Sequence, residues 1–153
     1  MRLLHLLSAI VAAAPLLLVA AIPAQHVIVY HEPGRFGGWP ANNGVWHWGD
    51  EILVGFARGW FQEKSDSHSY DRNRPSSLAF ARSRDGGLSW ALEEPAAPLH
   101  LTDGEEPAAS PGGIDFTHPD FALRVRNEAF HFSYDRGRTW RGPFALPTLG
   151  WEI

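Results

Sequence analysis

The sequence predicts an all-β fold, and three observations predict it. Beyond the first two dozen residues no window of useful length has a helical period; short apolar runs alternate instead, bounded by Gly, Pro, Asn and Asp. The composition is rich in turn formers, with Gly 15 and Pro 12 in 153 residues. The pattern S-x-D-x-G-x-x-W is written twice, as SRDGGLSW at Ser83 to Trp90 and SYDRGRTW at Ser133 to Trp140. Each copy follows an apolar strand, and the spacing of fifty is the period of a repeated supersecondary unit.

The chain opens on MRLLHLLSAIVAAAPLLLVAAIPAQ, whose one charged side chain is Arg2; the next charge is Glu32. A basic start, an apolar stretch from Leu3 to Ile22 and small residues at Ala20, Ala21 and Ala24 predict a secretory signal over residues 1–24, cleaved after Ala21 or Ala24. The alternative is an uncleaved membrane anchor, since the apolar run is long for a signal. Cleavage takes the charge from −4 to −5 and leaves about 130 residues, enough for one domain. The predicted location is secreted or periplasmic, with membrane contact only through this segment.

Next, HVIVYHE (His26 to Glu32) reads as a strand and PGRFGGWPANNG as a loop. Val45 to Trp48 and Glu51 to Ala57 flank Gly49-Asp50, a favoured hairpin pair. Gln62 to Ser77 is a polar loop, Leu78 to Arg82 a strand, and Ser89 to Glu93 the strand leaving the first octet. Residues 94–120 form a long Pro- and Gly-rich connection, a length usually tied to function or disorder. Phe121 to Arg126 and Ala129 to Phe132 are strands about an Asn127-Glu128 turn, and a last strand starts at Thr139. Strand–turn–strand units at this period suggest blades of a β-propeller, the octet joining the third strand of each to the fourth.

Within the octet the residue types have structural jobs. Asp85 and Asp135 can accept bonds from the backbone of their own turn, and Ser83 and Ser133 can cap it. Gly87 and Gly137 suit a positive φ, and Trp90 and Trp140 bring large rings back to the next strand. None of these is a nucleophile beside a base.

The two octets resemble the Asp-box, or BNR, repeat of the sialidase superfamily, and the likeness extends over most of residues 26–150. RFGGWPANNGVWHWGDEILVGFARGWF with ARSRDGGLSW is similar to the opening blade of such proteins. GGIDFTHPDFALRV with SYDRGRTWRGPF is similar to the second. The resemblance implies a six-bladed propeller, about two blades of which (residues 25–153) stand in this chain, as in a truncated, singly inactive N-terminal fragment. It implies a glycoside hydrolase acting on terminal sugars of glycans, sialic acid or related. Such enzymes hold the substrate carboxylate with three arginines, use an Asp as acid/base, and attack with a Tyr paired to a Glu. Trp39 stands where the first arginine belongs, Arg35 being four residues earlier; Arg58 lies two positions before the aligned Trp60. The acid/base position falls on Asp66 or Asp71, with Asp71 preferred. The nucleophile would lie beyond Ile153, because Tyr30, Tyr70 and Tyr134 have no matching motif.

Other residues are candidates in their own right. Asp115, His118 and Asp120 in DFTHPDF, ahead of a strand on the expected ligand face, suit acid/base work or hydrogen bonding within a polar loop. Trp39, Trp46, Trp48 and Trp60 suit sugar stacking or blade packing; alternation puts Trp46 and Trp48 on one side, where packing is expected. The absence of Cys excludes disulfides, thiolate metal sites and thiol nucleophiles. No ligand spacing for a metal and no phosphate loop or G-x-S-x-G elbow occurs, so no metal or cofactor is expected. A charge of −4 gives no footprint for nucleic acid. The rival to hydrolysis is a non-catalytic glycan- or protein-binding propeller; the oligomeric state is open.

Overall fold

Alternating apolar residues on either side of Gly49-Asp50 close a hairpin in the computed structural model, which describes residues 24–146. We number the elements β1 (Arg35–Gly38), α1 (Pro40–Asn43), β2 (Val45–Trp48), β3 (Glu51–Trp60), β4 (Ser77–Ser83), β5 (Ala91–Glu93), β6 (Ala122–Arg126), β7 (Ala129–Ser133) and β8 (Arg141–Ala145). The predicted hairpin is β2–β3, with Val45 opposite Val54 and Trp48 opposite Glu51. All pairing within the two sheets is antiparallel, so the all-β expectation holds. The signal expected over residues 1–24 lies, but for Ala24, outside the described residues; among those described, no helix is long and apolar enough to cross a membrane.

The first sheet is built on β3. β4 pairs along one side of it, β5 lies beyond β4, and β1 and β2 share the other side end to end. Two expectations are corrected here. The stretch read as a loop holds β1 and the one-turn helix α1. His26 to Glu32 is not a strand; it crosses the sheet as a covering segment, with Val29 and Tyr30 packed on Phe56, Ala79 and Ala81. The reason is steric and local. Gly37 leaves room for the Tyr30 ring, since a Cβ there would come within 2.5 Å of it. That close approach puts the apolar segment over the sheet, while Arg35–Gly38 takes the hydrogen bonds of the β3 edge. Between β1 and β2 the chain bulges out through α1, entered at Trp39 with φ 56 and left at Gly44 with φ 101.

The second sheet has the order β6-β7-β8. Its β8 is extended only by an isolated parallel bridge to Ala108, inside the long connection that otherwise holds no strand. β5 and β8 begin two residues later than expected, because Ser89 and Thr139 are still bonded to the turn aspartates.

The sheets meet along a seam. Leu53, Phe80 and Leu99 form its core with Trp46, Trp48, Leu78 and Trp140 against them. Trp140 stacks on Phe80 at 5.9 Å between centroids. The indole N–H groups of Trp46 and Trp48 donate to the carbonyls of Leu123 and Phe121, at 3.2 and 3.3 Å. Both sets are two residues apart, so two side chains of β2 satisfy edge acceptors that a further strand beside β6 would otherwise take. The expectation that this Trp pair packs is met.

Candidate functional site

The two octets fold bond for bond alike. In the first, the Ser83 hydroxyl donates to Asp85 Oδ1 (2.8 Å) and accepts from Gly87 N (2.8 Å). Asp85 Oδ1 also accepts from Leu88 N and Ser89 N, and its Oδ2 from the Ser89 hydroxyl. In the second, Ser133, Asp135, Gly137, Arg138 and Thr139 repeat each contact. Trp90 and Trp140 each donate from the indole to the glycine carbonyl, Gly87 or Gly137. The predicted positive φ is present at Gly87 (93) and Gly137 (75). Hydrogen bonds from Ser89 and then Ser83 pull the Asp85 carboxyl from its ordinary 3.8 to about 2. Their oxygens are committed to their own turns, so neither aspartate is free for chemistry.

The sequence candidates divide between two ends of the molecule. Glu51, at the start of β3, lies at the octet end, and Trp60 at the other; nine residues of strand separate them by roughly 30 Å. Asp120 is at the octet end, paired through Oδ1 with Arg136 Nε at 2.6 Å. His118 Nδ1 accepts from Asp120 N, and its ring lies 5.0 Å from that of Tyr134. Asp115 accepts from Thr117 N and the Thr117 hydroxyl, bonds that hold its carboxyl below the ordinary range, and its own N–H donates to the Tyr134 hydroxyl. This cluster is bonded within its own loop and to the second octet, and it does not share a site with Asp66 and Asp71.

Arg35, Trp39, Arg58, Trp60, Asp66 and Asp71 lie toward the far end. Arg35 and Trp60 are register partners, and the guanidiniums of Arg35 and Arg74 stack on the Trp60 ring at 4.1 and 3.2 Å from its centroid. Trp39 joins Phe36 (4.9 Å), Tyr70 (5.1 Å) and His68 (5.8 Å) in an aromatic cluster. Asp71 caps its own turn, accepting from Asn73 N at 2.9 Å, and Asp66 is exposed beside Ser67. Neither carboxylate contacts the arginines.

A group that the sequence did not single out sits at this end. The Tyr30 hydroxyl donates to Glu32 Oε2 at 2.9 Å, and Arg58 donates to the same oxygen at 3.0 Å. Arg58 also pairs with Glu94. The Tyr30 bond first, and Arg58 after it, keep the Glu32 carboxyl below its ordinary range, hence ionised. Tyr30, Glu32 and Arg35 line a cavity of about 310 Å³ with Phe61 at its rim. Arg35 Nε is buried without a hydrogen-bond partner among the described residues, and its guanidinium lies over the Trp60 ring. The signal available in the sequence was the Y-x-E spacing, which on an extended segment points both side chains to one side. No three His, Asp or Glu among the described residues are placed to hold a metal.

Comparison with protein families, curated proteins and solved structures finds no match to this chain.

Proposed function

We propose that this chain is part of an exported, sialidase-like β-propeller of the glycoside hydrolase type that acts on terminal acidic sugars of glycans. The observation that carries the reading is the Tyr30–Glu32 pair beside Arg35 and Arg58 at the end away from the octets. A phenol bonded to an ionised carboxylate is an activated nucleophile, suited to an anionic substrate that a bare carboxylate would repel, so on this reading the nucleophile is Tyr30 and not, as the resemblance implied, a residue beyond Ile153. Arg35, which lines the same cavity, supplies a cation for the sugar's carboxylate. The two octets support the propeller half of the reading, since they fold as repeated structural turns. The test is release of a fluorogenic leaving group from a sialoside by the full-length protein of which this chain is proposed to be part. Turnover lost in Tyr30→Phe with binding retained supports the assignment; turnover unchanged in that variant overturns it.

A second reading, glycan binding without cleavage, is favoured by the cluster of Trp39, Phe36 and Tyr70 and by the commitment of Arg58 to two glutamates. Aromatic rings stack on sugar faces whatever the bond chemistry nearby. Under this reading a sialoside binds with no turnover, and Trp39→Ala weakens binding about tenfold, equivalent to ~1.4 kcal/mol.

A further inference from the structure

The register of β6 and β7 sets Arg124 directly opposite His131, and opposite residues of an antiparallel pair share a face. Both are buried, Arg124 to 4% and His131 to 2% exposure. Arg124 donates to the Leu99 carbonyl and, at 3.2 Å, to Asn43 Oδ1 of α1. Its Nε is unpartnered among the described residues, and so are both ring nitrogens of His131. Buried imidazole nitrogens without partners are rare and call for a physical reason.

We propose that His131 is an acid sensor built into the seam between the two sheets, whose protonation sets a second cation against Arg124 and drives the sheets apart. The surroundings of the ring are those such a device needs. From β6 it faces Arg124, and the other charges near enough to act on the pair are Arg126 of β6 and, in the long connection, His100 and Glu105. α1 offers Asn43, already given to Arg124. β8 offers the backbone of Gly142, so close that a Cβ there would come within 2.9 Å of the ring. The first sheet contributes apolar Leu53 and Phe80 to the core of the seam. Glu105 is the one carboxylate in this set, and its Oε2 is held by Thr102 at 3.0 and 2.8 Å. The imidazolium would therefore be desolvated beside a guanidinium with no acceptor bonded to either ring nitrogen.

Burial first, and Arg124 second, hold the His131 ring below its ordinary 6.5. The sign follows from linkage. A group with a lowered folded value binds protons more readily once the seam opens. The closed seam is therefore fully favoured above pH 6.5 and loses stability as pH falls from there to the folded value. Carboxylates that hold the turns, such as Asp85, begin to lose their contribution only below their ordinary 3.8, so the onsets of the two events separate on the pH axis.

Trp46 and Trp140 lie in the seam with ring centroids 5.4 Å apart and report its opening by fluorescence. The full chain is titrated from pH 8 to about 4.5, following tryptophan emission and, by NMR, the imidazole resonances. The expected result is a reversible red shift below pH 6.5 that tracks the His131 resonance, is absent in His131→Asn, and is weakened in Arg124→Gln, in which the His131 resonance itself titrates at higher pH. No emission change above about pH 4.5, or an unchanged transition in His131→Asn, overturns the proposal. Should that variant not fold, the wild-type resonance decides: titration at or above 6.5 overturns it, and titration below 6.5 with the emission change supports it.

Discussion

The two octet turns make the same internal hydrogen bonds but sit in different company. At the second x of the pattern the first turn has Gly86, at φ 69, whose N–H donates to the Asp50 carbonyl at 2.9 Å. The second has Arg136 at φ 59, a left-handed conformation that costs a residue with a Cβ about 1 kcal/mol. Arg136 is held there from outside the turn. Its guanidinium binds Glu51 Oε2 (2.8 Å) and Asp120 Oδ1 (2.6 Å), and its carbonyl accepts from Arg82 at 3.0 Å. Glu51 also receives Arg82 and Arg138, each at 2.8 Å, and so joins three guanidiniums from both sheets. The first turn closes a hairpin. The second closes a hairpin and clamps the seam.

Four experiments sharpen or break that distinction. Asp135→Ala is expected to have the largest effect, a loss of about 2–4 kcal/mol by chemical denaturation, because it strips a partly buried turn of its charge-assisted acceptors. Asp85→Ala should cost less, being in an exposed turn that contributes none of the Glu51 ion pairs; equal losses would break the comparison.

Gly137→Ala comes next. A Cβ there would meet Leu53 Cδ2 at 2.5 Å, deep in the seam, whereas at Gly87 the nearest atoms are 3.6 Å away. Both variants bear the cost of a positive φ, and only the first must also move a core side chain, so its melting temperature should fall further by several degrees, about 1–3 kcal/mol.

Acid gives a smaller, graded effect. Bonds from Ser89 and Ser83 lower Asp85 to about 2. Burial raises Asp135, but bonds from Ser133 and Thr139 outweigh it; burial raises Glu51, but Arg136, Arg138 and Arg82 outweigh it. Lowered folded values mean that the unfolded chain binds more protons. This contribution is present above the ordinary values of 3.8 and 4.5 and is lost as pH falls through the folded ones. In a stability–pH profile, Glu51→Gln should flatten the upper part of that decline.

The smallest effect is expected from Arg136→Gly. It makes the second turn match the first, relieving the backbone while losing the links to Glu51 and Asp120. The opposed effects leave a modest net loss, and it should disappear in 1 M salt if the ion pairs are its source. A large loss insensitive to salt would place the clamp elsewhere.

Much of the fold was legible in the sequence. Period-two alternation marks β2, β3, β6 and β7, and the octet marks both turns with their glycines, because these features depend on neighbours in the chain. β1 was hidden. RFGG has the composition of a loop, and it is a strand only because Gly37 admits the Tyr30 ring and because a free edge of β3 waits for it. HVIVYHE carries the stronger strand pattern, and the crowding over Gly37 makes it a cover instead.

The site divides in the same way. Acidic residues in loops were visible, but not their partners: Asp120 meets Arg136 sixteen residues later, and Asp71 turns back on Asn73. The Tyr30–Glu32 pair is local in sequence, yet Arg58 and Arg35 reach it only through the pairing of β1 with β3.

By itself the sequence determined the all-β class, the hairpins and the internal chemistry of both turns. Each is set by interactions within a few residues, whose free energy depends little on the rest of the chain. Only the tertiary structure decided which strand takes the β3 edge, that the two turns play unequal parts, and which charged groups are already neutralised. Those outcomes rest on burial and on contacts between residues 16 to 87 positions apart, such as Arg136 with Asp120 and Arg138 with Glu51. Burial multiplies the worth of each such pair and the cost of each missing one.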